Sequence, residues 1–188
     1  MPRQSLPDAG VRFAPVRVCV TGPESTGKTT LARRLAEWAA VDWVPEASRR
    51  YAERKGGELL LEDVGPIARE HVALASAART PICVLDTDLL STVVYSRYYY
   101  GTVAPWILRA ERERRADLYL LCDVDVPWVP DGVRDRPTDR ERMFALFRDA
   151  LVRRRADTVV VRGDWATRWR IAQSAVTALR MTRGLAPA

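Results

Sequence analysis

The nine residues Gly22-Pro23-Glu24-Ser25-Thr26-Gly27-Lys28-Thr29-Thr30 follow an apolar run from Val16 to Thr21 and lead into the helical pattern Leu31-Ala32-Arg33-Arg34-Leu35-Ala36. This is G-x-x-x-x-G-K-S/T in a strand-loop-helix setting, and no other stretch restricts the fold so tightly. Glycines let the backbone curl, so that successive N–H groups and the positive end of the following helix converge on phosphate oxygens. On this reading Gly22, Glu24, Ser25, Thr26, Gly27, Lys28, Thr29 and Thr30 hold a nucleotide. Lys28 reaches its terminal phosphates and Thr29 ligates magnesium. The alternative is an ordinary glycine-containing turn. Lysine usage favours the first reading, because of 30 cationic residues only Lys28 and Lys55 are lysines. A compact ammonium fits between phosphates where a planar guanidinium does not.

A chain of 188 residues that is 47% hydrophobic is the size of one compact domain. We expect it over residues 15–182, with loose tails at 1–14 and 183–188. The net charge of +6 raises the question of nucleic acid, but the basic residues are spread along the chain among 24 acidic ones. No basic stripe or reading module emerges, so no nucleic-acid partner is expected. No apolar run approaches the ~20 residues of a membrane span, and the first 14 residues lack the apolar centre of a signal peptide. A cytoplasmic protein without a membrane partner is expected, with homo-oligomer formation left open. Cys19, Cys83 and Cys122 each lie inside an apolar run without C-x-x-C spacing, which reads as buried hydrophobes rather than a zinc site.

Five short apolar segments alternate with helical patterns: Val16 to Thr21, Asp42 to Pro45, Ile82 to Asp86, Leu118 to Cys122 and Thr158 to Val161. That alternation predicts an α/β P-loop NTPase, with a five-stranded parallel sheet flanked by helices on both faces. Ligand then lies beyond the carboxyl ends of the strands. Leu31, Leu35 and Trp38 form one core stripe, Ile67, Val72 and Leu74 belong to another, and Trp165, Ile171, Ala175, Val176 and Leu179 mark a closing helix. Residues 126–142 break regular structure with Pro127, Pro130, Gly132 and Pro137 while gathering Arg134, Arg136, Arg140 and Arg142. This composition suits an arginine-bearing lid, with Arg134 or Arg136 neutralising a phosphoryl group in flight.

The carboxylates at the strand ends are the remaining candidates. Asp86-Thr87-Asp88 closes the third strand, and residues two apart in an extended stretch face the same side, so both carboxylates are expected in one site. Asp86 stands where P-loop NTPases organise magnesium, and Asp88 nearer an acceptor hydroxyl. The competing role for each is to cap the helix that begins near Leu89. Glu46 ends the second strand, where it would take the proton of an attacking hydroxyl or hold a magnesium water or a sugar. Arg49 either binds substrate or pairs with Glu46 or Glu53. Tyr95, Tyr98, Tyr99 and Tyr100 are too closely spaced for one core stripe, so at least one is expected to line a pocket and stack on a planar ring. No Asn-Lys-x-Asp element for guanine is present, which favours ATP, with Gly163 and Asp164 after the last strand as base contacts.

Together these motifs resemble the ribosylnicotinamide kinase domain at the C-terminus of NadR proteins, from about Val16 to Arg180. The loop GPESTGKTT is similar to that family's GGESSGKS, including Glu24. Glu46 and Arg49 match its Glu-x-x-Arg, Gly56 and Gly57 its Gly-Gly turn, and Asp86, Thr87 and Asp88 its Asp-Thr-Asp, with Thr92 and Gly101 following. Trp128, Val129, Asp131, Gly132 and Arg134 match the entry to its flap. The resemblance implies transfer of the terminal phosphate of ATP, with Mg2+, to the ribose 5′-hydroxyl of nicotinamide riboside. It also implies that Glu46, Arg49, Asp88 and Thr92 contact this small-molecule nucleoside. Where the family carries an aromatic residue before the glutamate this chain has Pro45, so Trp43 and Tyr95 become the candidates for stacking on the base. NadR proteins also carry an adenylyltransferase domain and often a helix-turn-helix, and this sequence is expected to act as a free-standing kinase. Its rivals are a P-loop kinase for another nucleoside or metabolite and a non-catalytic ATP-binding switch.

Overall fold

The computed structural model describes residues 14–127 and 139–186. The expected N-terminal tail up to residue 13, residues 128–138 of the lid expected over 126–142, with Arg134 and Arg136, and residues 187–188 lie outside that range. Arg140 and Arg142, expected in the lid, instead begin a helix, Arg140–Arg153.

Strands form where the short apolar runs stand: β1 (Val16–Thr21), β2 (Asp42–Val44), β3 (Ile82–Asp86), β4 (Leu118–Cys122) and β5 (Thr158–Val161). They make one parallel sheet in the order β2-β3-β1-β4-β5. The chain leaves central β1, builds the β2 and β3 side, then crosses to β4 and β5. A crevice therefore opens at the carboxyl end of β1, where the order reverses. The phosphate loop starts there.

Helices cover both faces: α1 (Lys28–Ala39) and α7 (Trp165–Thr182) on one, and α4 (Leu89–Tyr100) and α6 (Arg140–Arg153) on the other. Strand parity decides which side chain meets which layer. Val18, Val20, Val84 and Leu120 pack against Leu31, Leu35, Ala172 and Val176. Cys19, Leu85, Tyr119 and Leu121 pack against Leu90, Val94, Met143 and Phe147. All three cysteines are buried and unbridged. Beside the second layer stand α2 (Ala47–Lys55), α3 (Val64–Ser76) and α5 (Pro105–Glu113). Ile107 of α5 joins Ala68, Leu89 and Val93 in a small separate core that fixes α3 against α4.

The closing helix begins at the site rather than away from it. Asp164 caps α7 by accepting from the Thr167 N–H at 2.7 Å. One turn on, Arg168 is fully buried and donates to the carbonyls of Gly163 at 2.9 Å, Thr26 at 3.1 Å and Asp123 at 2.9 Å, while pairing with Asp125. One guanidinium thus ties the phosphate loop, the end of β4 and the turn after β5 into a unit.

Candidate active site

The loop after β1 curls because two glycines allow it. At Gly22, with φ +130°, a Cβ would lie 2.7 Å from the Cys122 carbonyl oxygen, so only glycine lets the loop pass the end of β4. Gly27, with φ +77°, takes the left-handed conformation just before α1, and the Trp165 ring occupies the space of its missing Cβ. Lys28 Nζ arches back to donate to the Pro23 carbonyl at 2.6 Å, and the Thr26 hydroxyl donates to the same oxygen at 2.8 Å. From the far side Arg140 donates to the carbonyls of Ser25 at 3.3 Å and Val126 at 3.1 Å, joining the loop to the base of the flap.

A cavity of about 930 Å³ lies on this loop, lined by Glu24 to Thr30 and by Glu46, Arg49, Asp125, Gly163, Asp164 and Trp165. A second, of about 840 Å³, lies between α2, α3 and α4 and is lined by Glu53, Gly56, Gly57, His71, Asp88, Thr92 and the rings of Tyr99 and Tyr100, among others. Glu46, Thr87 and Tyr95 line both. The two cavities therefore meet at these three side chains.

Asp86 and Asp88 do not converge as strand alternation predicts. Thr87 between them adopts φ +65° and donates its N–H to the Val20 carbonyl at 2.9 Å, which turns the chain and sends the carboxylates to opposite sides. Asp86 keeps the parity of Val84 and lies on the phosphate-loop side, near Thr29 and Lys28. It is 1% exposed, and neither of its oxygens has a hydrogen-bonding partner. Burial first, and the Glu46 charge second, push its pKa up to about 6 against the pull of Thr29, Lys28 and Arg49. Asp88 instead caps α4, accepting from the Leu90 N–H at 2.9 Å and the Tyr119 hydroxyl at 2.7 Å. Burial pushes its pKa to about 6 as well, and those donors pull the other way. Both Asp88 oxygens thus accept a bond from within the fold while the residue lines the second cavity, and Glu46 is the carboxylate that lines both cavities.

Glu46 ends β2 as expected, accepting from Ser48 Oγ at 2.5 Å and facing Arg49 at 3.8 Å. Tyr95 lies at the junction, stacked on Tyr99 with centroids 6.0 Å apart, while Tyr98 turns away to bond Asp139. Trp43 is not at the site: its parity matches Val84, so it packs on the α1 layer with Arg33 4.9 Å above its ring. Trp165 opens the closing helix as expected, and it is 48% exposed on the wall of the first cavity, a place sequence reasoning did not assign it. The signal for it was position, immediately after Gly163-Asp164 at the end of the last strand. Among the described residues no cluster of three metal-ligating side chains occurs, and no helix is long and apolar enough to cross a membrane.

This sheet order, with a Lys-bearing loop on β1 and a second cavity beside it, defines a P-loop kinase fold. The family model described as an AAA domain matches residues 17–168, and the chain belongs to that family. It is 30% identical over 142 residues to the trifunctional NAD biosynthesis/regulator protein NadR of Salmonella typhimurium, covering 72% of this chain and 34% of the relative. The Escherichia coli NadR protein is 30% identical over 132 residues, covering 66% of this chain and 32% of the relative. The chain thus spans about a third of the length of these curated relatives. A NadR protein crystallised in complex with NR superposes with a TM-score of 0.79 at 26% identity, over 93% of this chain and 53% of that one. A thymidylate kinase from Ehrlichia chaffeensis, 15% identical with a TM-score of 0.59 over 89% of this chain and 100% of its own, shares the fold. The chain is a NadR-like kinase domain.

The buried Asp86 carboxylate has a stability signature. Because its folded pKa lies above the ordinary carboxylate value of about 4, the folded protein retains a proton that the unfolded chain has released between about pH 4 and pH 6. Stability therefore falls as pH rises through that window. Thermal denaturation should show Asp86→Asn more stable than the parent at pH 8, with the difference closing below pH 4; a variant less stable at pH 8 would contradict the uncompensated carboxylate.

Proposed function

We propose that the protein transfers the terminal phosphoryl group of ATP to the ribose 5′-hydroxyl of nicotinamide riboside, giving nicotinamide mononucleotide. The observation that carries this reading is the meeting of two cavities, one on the phosphate loop and one beside it, at Glu46, Thr87 and Tyr95. The NadR protein in complex with NR supports nicotinamide riboside as the occupant of the second, and the NadR protein in complex with NAD and AMP-PNP supports an adenine nucleotide in the first.

Phosphoryl transfer asks the protein for alignment and charge neutralisation rather than covalent chemistry. Loop N–H groups and Lys28 hold the polyphosphate, and Lys28 exchanges its bond to Pro23 for phosphate oxygens. Thr29 and Asp86 would hold Mg2+, which would neutralise charge on the terminal phosphates. The donor set fits it, because a buried carboxylate without partners beside a threonine hydroxyl is what a divalent cation compensates. Glu46 accepts the proton leaving the 5′-hydroxyl as the oxygen forms its bond to phosphorus and ADP departs. Arg134 or Arg136 neutralises the phosphoryl group, and Arg49 orients Glu46 or the sugar. Tyr95 stacks on the acceptor base and Thr92 lies beside the sugar. The Trp165 ring, at the Gly163-Asp164 turn, stacks on adenine.

Incubating the protein with ATP, Mg2+ and a panel of nucleosides should give nicotinamide mononucleotide and ADP in equal amounts. Turnover of uridine or thymidine with none of nicotinamide riboside would move the assignment to another nucleoside kinase. ATP binding without product from any acceptor would favour a switch. Trp165→Ala is expected to raise KM for ATP about tenfold, the value of one base-aromatic contact, and to leave KM for the nucleoside in place. An unchanged KM for ATP would remove Trp165 from the base site.

A further inference from the structure

Since Glu46, Thr87 and Tyr95 mark the junction, the reacting end of an acceptor lies there and the rest of it fills the remaining space between α2, α3 and α4. On the inner wall of that space is His71, the single histidine of the chain. It stands in the middle of α3, between Ile67 and Ala75, which both face the core. His71 is 6% exposed, lines the cavity and makes no hydrogen bond to any described residue.

An imidazole so placed is an anomaly. Polar side chains in an interior normally meet a protein partner, and the ring nitrogens of His71, which are not among the polar atoms sealed from solvent, are left to bond whatever fills the cavity. Burial, with the charges of Arg17 and Arg114 behind it, holds the ring neutral, its pKa lowered to about 4. At neutral pH it therefore carries one N–H donor and one bare nitrogen acceptor. The cavity around it is lined by Glu46, Glu53 and Glu58, and no described lysine or arginine lines it, so an anionic partner such as a phosphate is disfavoured. A neutral group that both donates and accepts, as an amide does, satisfies either tautomer.

We propose that His71 determines acceptor specificity by hydrogen-bonding a neutral amide-class group on the base of the nucleoside bound in this cavity. The assignment rests on reading the cavity as the nucleoside site, and it adds a residue that neither the phosphate loop nor the carboxylates supply. Because the chain has one histidine, every imidazole nitrogen signal in its NMR spectrum belongs to His71. In the full chain labelled with 15N-histidine, nicotinamide riboside should shift the ring signals, Mg-ATP alone should not, and pyridine riboside, which lacks the carboxamide, should shift them much less. His71→Phe should raise KM for nicotinamide riboside about tenfold, the value of one hydrogen bond, with KM for ATP unmoved, and His71→Gln should recover most of the loss. Ring signals indifferent to a nucleoside that the protein phosphorylates would overturn the proposal, as would identical responses to the amide and its deleted analogue. If the parent turns over some other nucleoside of the panel, the kinase substrate is wrong, and titration of that nucleoside decides His71 separately. Should His71→Phe not fold, the spectra of the parent chain decide alone.

Discussion

The approach of Gly22 to the Cys122 carbonyl is the constraint on which the rest depends. A side chain there would push the loop off the end of β4, and the N–H groups that follow would no longer converge. The contact is backbone on backbone, so no rotamer change relieves it. Around it the structure adds fastenings from distant parts of the chain. Arg168 grips the Thr26 carbonyl from α7, and Arg140 grips the Ser25 carbonyl from α6. Preorganised donors of this kind need no rearrangement when charge develops, which is the main source of rate in phosphoryl transfer.

Stability is given up beside that loop. Thr87, a β-branched residue, sits in the left-handed region, and Asp86 is buried without a partner. Either feature alone costs on the order of 1–3 kcal/mol. The neighbouring pair shows how such a cost is avoided: Asp88 is equally buried but is met by Tyr119 and the start of α4. Two carboxylates two residues apart thus stand in different environments, one bonded into the fold and one without a partner. The strain at Thr87 separates them.

The parts legible in the sequence are those fixed by local chemistry. Each apolar run became a strand within a residue of its expected ends, and the phosphate loop lies where its glycines require. Glu46 and Arg49 flank the site for the same reason, at the end of a strand and the first turn of a helix. What the sequence did not reveal depends on parity and on non-local contact. Trp43 is one residue out of phase with Val44, and one step along a strand reverses the face. Asp88 misleads because alternation holds only for extended backbone, and the left-handed turn is at a threonine, where residue type gives no warning. Trp165 looks apolar and helical, so its exposure emerges only once the phosphate loop is folded against it. His71 is invisible for the same reason: a lone histidine on a helix is ordinary until its neighbours prove unable to bond it. The short core around Ile107 likewise needs α3, α4 and α5 assembled before it exists.

The claim that unites these observations is that one cavity delivers a phosphoryl group and its neighbour receives it across Glu46, Thr87 and Tyr95. A crystal structure with AMP-PNP, Mg2+ and nicotinamide riboside tests it most directly. The account predicts the terminal phosphate at Lys28 and Thr29, and the ribose 5′-oxygen at the junction within hydrogen-bonding reach of Glu46. A nucleoside bound away from that junction, or triphosphate lying off the loop, would contradict it.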